Sequence, residues 1–262
     1  MPDDAAARLE RARSCPVDEL KALVHEADEA VLLALLENKN LDEPHVHQML
    51  DRLDISANVL STIAEEKQWA ASEGVRVRLA RHPHTPRRIA LALLRQLYLF
   101  DLVRVSLLPS TPAEIRRVAE ELIVTRVPHL PVGEKLTLAR RGPSRAAGAI
   151  LSEGHAQAIK LALNNAFLTE AQVLKVLAKG SVPERVVAAI SQHPKWASQY
   201  NVRMALVRNA HTPVPVVLAI LPNVTPRDLK EIMTLESLTP HVRRYIKQEL
   251  ARRSGDRGKL RE

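Results

Sequence analysis

Three sets of side chains in this chain have the types and spacing to do chemistry. The histidine pairs His45-x-His47 and His82-x-His84 bring imidazoles close enough in sequence to be considered as metal ligands. On a helix, positions i and i+2 point about 200° apart, so His45 and His47 cannot share an ion. His82 and His84 fall in a loop and can converge, but no third ligand lies nearby, and no metal site is assigned. Cys15 is the only cysteine. One thiol closes no intramolecular disulfide and holds no iron–sulfur cluster. No Ser-His-Asp pattern, phosphate loop, dinucleotide fingerprint or H-E-x-x-H is present, and with 8 glycines in 262 residues a glycine-rich phosphate cradle is implausible. No cofactor and no catalytic residue are expected.

The second set is arginine. Arg87, Arg88, Arg116, Arg117, Arg140, Arg141, Arg243, Arg244, Arg252 and Arg253 form five adjacent pairs. Guanidinium forks match phosphate and carboxylate geometry, so these ten residues are the candidates for contact with nucleic acid or a partner. Solvated helix faces and the capping of helix ends explain the same residues without a ligand. The third set is the two tryptophans, Trp69 and Trp196, which either stack on exposed bases or fill the gap between packed helices. Both precede the same Val-Arg-x-x-Leu run, which favours the packing role.

These residues sit in a chain with a helical vocabulary. It is 46% hydrophobic but only 3% aromatic, and no strand-like alternation persists. Apolar residues recur at three and four, as in Val46, Met49, Leu50 and Val173, Val176, Leu177. Five Thr-Pro pairs, at Thr85, Thr111, Thr212, Thr225 and Thr239, read as helix starts with Thr as N-cap and Pro at the first helical position. Asp42-Glu43, Thr169-Glu170 and Val182-Pro183 read the same way.

A shift of 127 positions superimposes the chain on itself. It aligns Leu41 with Leu168, Val46 with Val173, Trp69 with Trp196, Arg76 with Arg203, Arg81 with Arg208 and His84-Thr85-Pro86 with His211-Thr212-Pro213. About 21 of 70 residues between 38 and 107 are identical without a gap. Trp69, Trp196, Thr85, Pro86, Thr212 and Pro213 are accordingly read as structural repeat positions. An inner spacing of about 43, from Asp42 to Thr85 and from Thr169 to Thr212, is the length of two helices and two turns. The expected fold is an all-α αα-superhelix (alpha solenoid) of about six helical-pair repeats, arranged as two tandemly duplicated three-repeat halves. The divisions are 1–127, acidic at its start; 128–250, basic; and 251–262, a basic flexible tail.

The segments VRVRLARHPHTPRRIALALL and VRMALVRNAHTPVPVVLAIL resemble the leucine-rich repeat variant pattern, V-R-x-x-L-A-x-N-P-x-T-P followed by a leucine-rich helix, while the 43-residue period looks more like HEAT repeats. Asn209-Ala210 departs from the Asn-Pro of the pattern. The resemblance implies a superhelical stack and no particular chemistry.

Charge is the sharpest asymmetry. Residues 1–74 carry 7 Lys/Arg against 16 Asp/Glu, and residues 75–262 carry 31 against 14. The leading expectation is a non-catalytic solenoid scaffold that binds another macromolecule, a protein first, through its concave surface. The alternative is nucleic-acid binding by the basic surface of 75–262. Third comes a HEAT-like DNA glycosylase, with Trp69, Trp196 and Asp101 or Asp228 as its nearest candidates. Head-to-tail self-association through the opposite charges is a further expectation. MPDDAAARLERARS has no apolar stretch and no run reaches membrane-spanning length, so a soluble cytoplasmic chain without membrane contact is expected.

Overall fold

The computed structural model describes the backbone of residues 2–235, 238 and 240–259 and, within these, the side chains from residue 5 to residue 254. The described residues form twenty α-helices and two 3-10 turns, with no strand among them. None of these helices is long and apolar enough to cross a membrane. Two compact units divide the chain, Met1–Thr125 and Arg126–Glu262.

The first unit begins with α1 (Pro2–Ser14), α2 (Val17–Leu23), α3 (Glu29–Leu36), α4 (Glu43–Leu50) and α5 (Ala57–Glu65). It continues with α6 (Lys67–Ala71), α7 (Glu73–Arg81), α8 (Arg87–Gln96), α9 (Leu99–Leu107) and α10 (Ala113–Arg126). In the second unit come α11 (Val132–Arg141), α12 (Ser144–Glu153), α13 (Ala156–Leu163), α14 (Glu170–Leu177) and α15 (Glu184–Gln192). There follow α16 (Pro194–Ala197), α17 (Tyr200–Arg208), α18 (Val214–Ile220), α19 (Pro226–Met233) and α20 (Pro240–Lys259). Each helix from α12 to α20 begins 127 residues after its counterpart among α2 to α10. The backbone therefore keeps the register even in α9/α19, where little identity survives.

Within each unit the helices stack in two rows. α1 packs on α3 and α3 on α5, while α4 packs on α7 and α7 on α9. In the second unit α11, α13 and α15 form one row and α12, α14 and α17 the other. Helices of the latter row, continued by α19, start at 144, 170, 200 and 226, at steps of 26, 30 and 26 residues. The 43-residue spacing is thus not the stacking unit. It joins a start in one row to a later start in the other: Asp42 precedes α4, whereas Thr85 precedes α8. A count of three helix pairs per half does not describe these rows.

Of the other expected starts, Asp42 caps α4 by accepting from the His45 amide at 3.1 Å, and Thr169 caps α14 through the Gln172 amide at 3.4 Å. Thr225 does the same for α19, accepting from the Asp228 amide at 3.2 Å with Pro226 as first helical residue. Thr85 and Thr212 do not cap. Pro86 and Pro213 occupy the cap positions of α8 and α18, and both threonines lie buried one residue earlier. Their amides close a turn onto the carbonyls of His82 and Asn209 at 3.2 Å and 3.1 Å, which turns the hydroxyls inward. The Thr212 hydroxyl donates to the Leu206 carbonyl at 2.5 Å, and that of Thr85 has no partner among the described residues. Val182 likewise lies one residue early, since Pro183 holds the cap position of α15. Thr111 is buried, its hydroxyl without a partner among the described residues, and Thr239 lies outside them. Helix α20 runs through residues 251–259, the span read as a tail, and residues 260–262 lie outside the description.

The core follows the 127-residue register. Val46, Leu50, Val59, Ile63, Val75 and Leu79 are buried, as are Val173, Leu177, Val186, Ile190, Val202 and Leu206. Burial of each such aliphatic side chain contributes roughly 1.5–3 kcal/mol. The short helices α6 and α16 carry the tryptophans and lie within the longer step of each unit, from α4 to α7 and from α14 to α17. Trp69 and Trp196 are both buried, and the Trp196 indole N–H donates to the Leu163 carbonyl at the end of α13 at 2.8 Å.

A duplicated amide links successive steps. Asn38 is buried and donates to the carbonyls of Ala12 at 2.9 Å and Cys15 at 3.2 Å, while its oxygen accepts from the Asn40 amide at 2.8 Å. Asn165 repeats this with Ala139 at 2.9 Å, Gly142 at 3.0 Å and the Phe167 amide at 2.7 Å. Cys15 itself is buried and free.

Candidate binding cleft

In the second unit a cleft of about 690 Å³ lies between α14 and α17. Leu174, Leu177 and Met204 give it apolar walls, and Lys179, Arg208 and His211 add polar groups. Such a volume falls in the range of clefts that hold a small ligand or a few side chains of a partner.

Loop chemistry holds the cleft's end in place. The Asn209 amide donates to the Leu177 carbonyl at 2.7 Å, and its oxygen accepts from the His211 amide at 2.9 Å. The His211 ring meets the Gly180 carbonyl at 3.2 Å. Lys179 reaches the Ser152 hydroxyl at 3.2 Å, and Arg208 pairs with Glu231 on α19 at 2.6 Å.

The duplicate explains why the cleft is open. The corresponding helices of the first unit are α4 and α7, where Arg78 and Arg81 donate to the Asp51 carboxylate at 3.2 Å and 2.9 Å. Arg52 reaches across to the carbonyls of Val24 at 2.6 Å and Glu26 at 2.9 Å. In the 127-residue register, Asp51 becomes Ala178, Arg78 becomes Ala205 and Leu53 becomes Gly180. The ion pairs with Asp51 have no counterpart in the second unit, and Ala178, Gly180 and Ala205 line the cleft there.

The nominated arginines divide. Arg87 makes a two-pronged pair with Glu114 at 2.7 Å and 2.9 Å. Arg252 and Arg253 both hold Glu249, pulling its carboxyl down to about 2, with Arg252 the larger influence. Arg253 also donates to the carbonyls of Val224, Leu221 and Pro222 at 2.6–3.0 Å, tying α20 to the turn after α18. Arg243 donates to the Leu235 carbonyl at 3.0 Å, and Arg244 lies 5.9 Å over the Tyr245 ring. Arg88, Arg117, Arg140 and Arg141 are exposed; Arg116 is half-buried with its Nε unpartnered among the described residues. In the second unit, Arg140 and Arg141 lie on α11, which packs on α12 and α13, whereas Arg243, Arg244, Arg252 and Arg253 lie on α20, which packs on α18 and α19.

The other candidates have structural partners. Arg76 donates to the Ala70 carbonyl at 3.3 Å. Asp228 accepts from the hydroxyls of Thr225 and Tyr200, in that order the causes that hold its carboxyl below the ordinary range. Asp101 is buried beside Arg104 at 3.4 Å. His45 contacts Asp42, and His47 meets Glu43 at 3.1 Å. The His82 ring bonds the Arg52 carbonyl at 2.7 Å, while its Nδ1 accepts from the His84 amide at 3.1 Å. No group of three or more metal-ligating side chains occurs among the described residues.

Sequence reasoning had not singled out Lys179, Met204 or the small residues of the cleft. Their signal was available in the self-alignment, as positions where a charged pair in one half becomes two alanines in the other. Compared with known proteins, the chain matches no family model, no curated protein and no solved structure.

Proposed function

We propose that the chain is a non-catalytic helical-repeat binding protein, an alpha solenoid of HEAT-like or leucine-rich-repeat-variant type, that recognises a segment of another protein in the α14–α17 cleft. The observation that carries this reading is the loss of the Asp51–Arg78 pair in the second copy, where Ala178 and Ala205 leave an amphipathic cleft. Apolar walls with a few fixed polar groups suit a peptide segment that buries one or two side chains. Lys179, which meets only the neutral Ser152 hydroxyl, favours an acidic residue beside it.

The test restores the pair. Ala178→Asp with Ala205→Arg leaves net charge unchanged and copies an arrangement the same fold already holds. An exposed ion pair changes stability by about 1 kcal/mol or less. The expected outcome is that proteins co-purifying with the wild type are lost from this variant, and that a purified partner binds it at least tenfold more weakly by calorimetry. Equal binding by both proteins would remove the cleft from consideration.

A second reading, nucleic-acid binding, is supported by the charge of residues 128–262, 21 Lys/Arg against 10 Asp/Glu, and by the exposed Arg140 and Arg141. Against it, Arg243, Arg252 and Arg253 are engaged within the protein. Binding of DNA or RNA that falls steeply with salt, and that Arg140→Glu with Arg141→Glu abolishes, would favour it.

A further inference from the structure

The other row of helices in the second unit carries a groove of its own. In the second unit, α13 and α15 flank a groove of about 580 Å³. Ile159 and Leu163 form its buried floor, and Lys160, Arg185 and His193 stand along it. Lys195, on the adjoining α16, lies 4.1 Å over the Trp196 ring. None of Lys160, Arg185 and Lys195 has an ion-pair partner among the described residues.

The corresponding face of the first unit, on α3 and α5, lacks the cations of Lys160 and Arg185 and is acidic instead. Lys160 corresponds to Leu33, Arg185 to Asn58, Asn164 to Glu37 and His193 to Glu66. Glu29, Glu37, Glu65 and Glu66 are all exposed there. Glu29 accepts from Asn58 at 2.8 Å and Glu37 pairs with Arg13 at 2.9 Å, while Glu65 and Glu66 have no ion-pair partner among the described residues. Lys67 is the nearby cation in sequence, set against a segment 1–74 that holds 16 acidic residues and 7 basic ones. Leu33 and Leu36 are half-buried, so the acidic face also offers apolar surface.

We propose that the basic α13–α15 groove of one molecule docks the acidic α3–α5 face of a second copy of this chain. Charge complementarity selects the occupant: a single sequence carries both surfaces, on corresponding helices of its two halves, one basic and one acidic, with aliphatic side chains beneath each. The contact is heterologous, because the two surfaces differ, so association continues until a ring closes or a filament grows. It is separate from the α14–α17 cleft, which lies on the other row, and neither depends on the other.

Sedimentation velocity of the full chain over a concentration series tests this. At low salt the mean mass should rise with concentration above the 29.2 kDa of one chain, and it should return to one chain at high salt as screening weakens the contact. Lys160→Leu with Arg185→Asn substitutes the residues that the first unit itself carries, so the fold tolerates them; association should weaken at least tenfold. Lys160→Glu with Arg185→Glu, and separately Glu65→Lys with Glu66→Lys, should each remain single chains, and mixing these two variants should restore association. A wild type that stays a single chain at low salt, or a mixture that fails to associate, overturns the proposal. So does a single-chain wild type that binds polyglutamate through Lys160 and Arg185, since the groove then serves a foreign acidic partner.

Discussion

At His82 the chain uses an imidazole where its duplicate uses an amide. Asn209 spans the Leu177 carbonyl and the His211 amide, and His82 spans the Arg52 carbonyl and the His84 amide. The longer ring reaches a carbonyl two positions further on in the register. With Nδ1 accepting, the neutral ring carries its proton on Nε2, and a second proton would point at the His84 N–H. Burial, the first cause, and the nearby His84 and Arg81 hold its pKa below the usual 6.5. The unfolded chain therefore takes up this proton at higher pH than the folded one. Stability is full above about pH 6.5 and declines as the pH falls below it. His82→Asn should make the urea midpoint less dependent on pH between about 7.5 and about 5.5. A slope remains, since burial also lowers His47 and His193. An unchanged slope would refute the assignment. The sequence showed that His82 becomes Asn209 and that His84 is retained; it did not show the shared bond pattern, because that depends on carbonyls about 30 residues away.

At the scale of elements, the Thr-Pro pairs show what spacing can and cannot specify. Each of the four described pairs stands at a helix start, so the punctuation was legible. Which residue caps was not, because this depends on whether the threonine is drawn into the turn before it. Thr225 is exposed and reaches the Asp228 amide, whereas Thr85 is buried with its hydroxyl unpartnered. Thr225→Val should therefore destabilise by about 1 kcal/mol. Thr85→Val, which replaces an unpartnered buried hydroxyl by a methyl of similar size, should leave stability unchanged or raise it. Chemical denaturation of the two variants measures both, and equal losses would contradict the assignment. The spacing of 43 misled for a related reason. Thr-Pro motifs mark starts in both rows, and sequence alone does not say which starts belong to helices that pack together.

Over the whole molecule, the duplication was legible from identity between residues 38 and 107, and the structure carries its register from α12 to α20. The cleft was hidden because it arises from side chains that are missing: Ala178 and Ala205 read as unremarkable until set against Asp51 and Arg78. The duplicated half thus acts as an internal reference for the divergent one. The most direct test of the binding account uses that reference, by amide hydrogen exchange of the full chain with and without the partner it captures. The account predicts protection across α14, α17 and the loop 209–212, with α4, α7 and 82–85 unchanged. Equal protection of both sets, or protection confined to other helices, would contradict it.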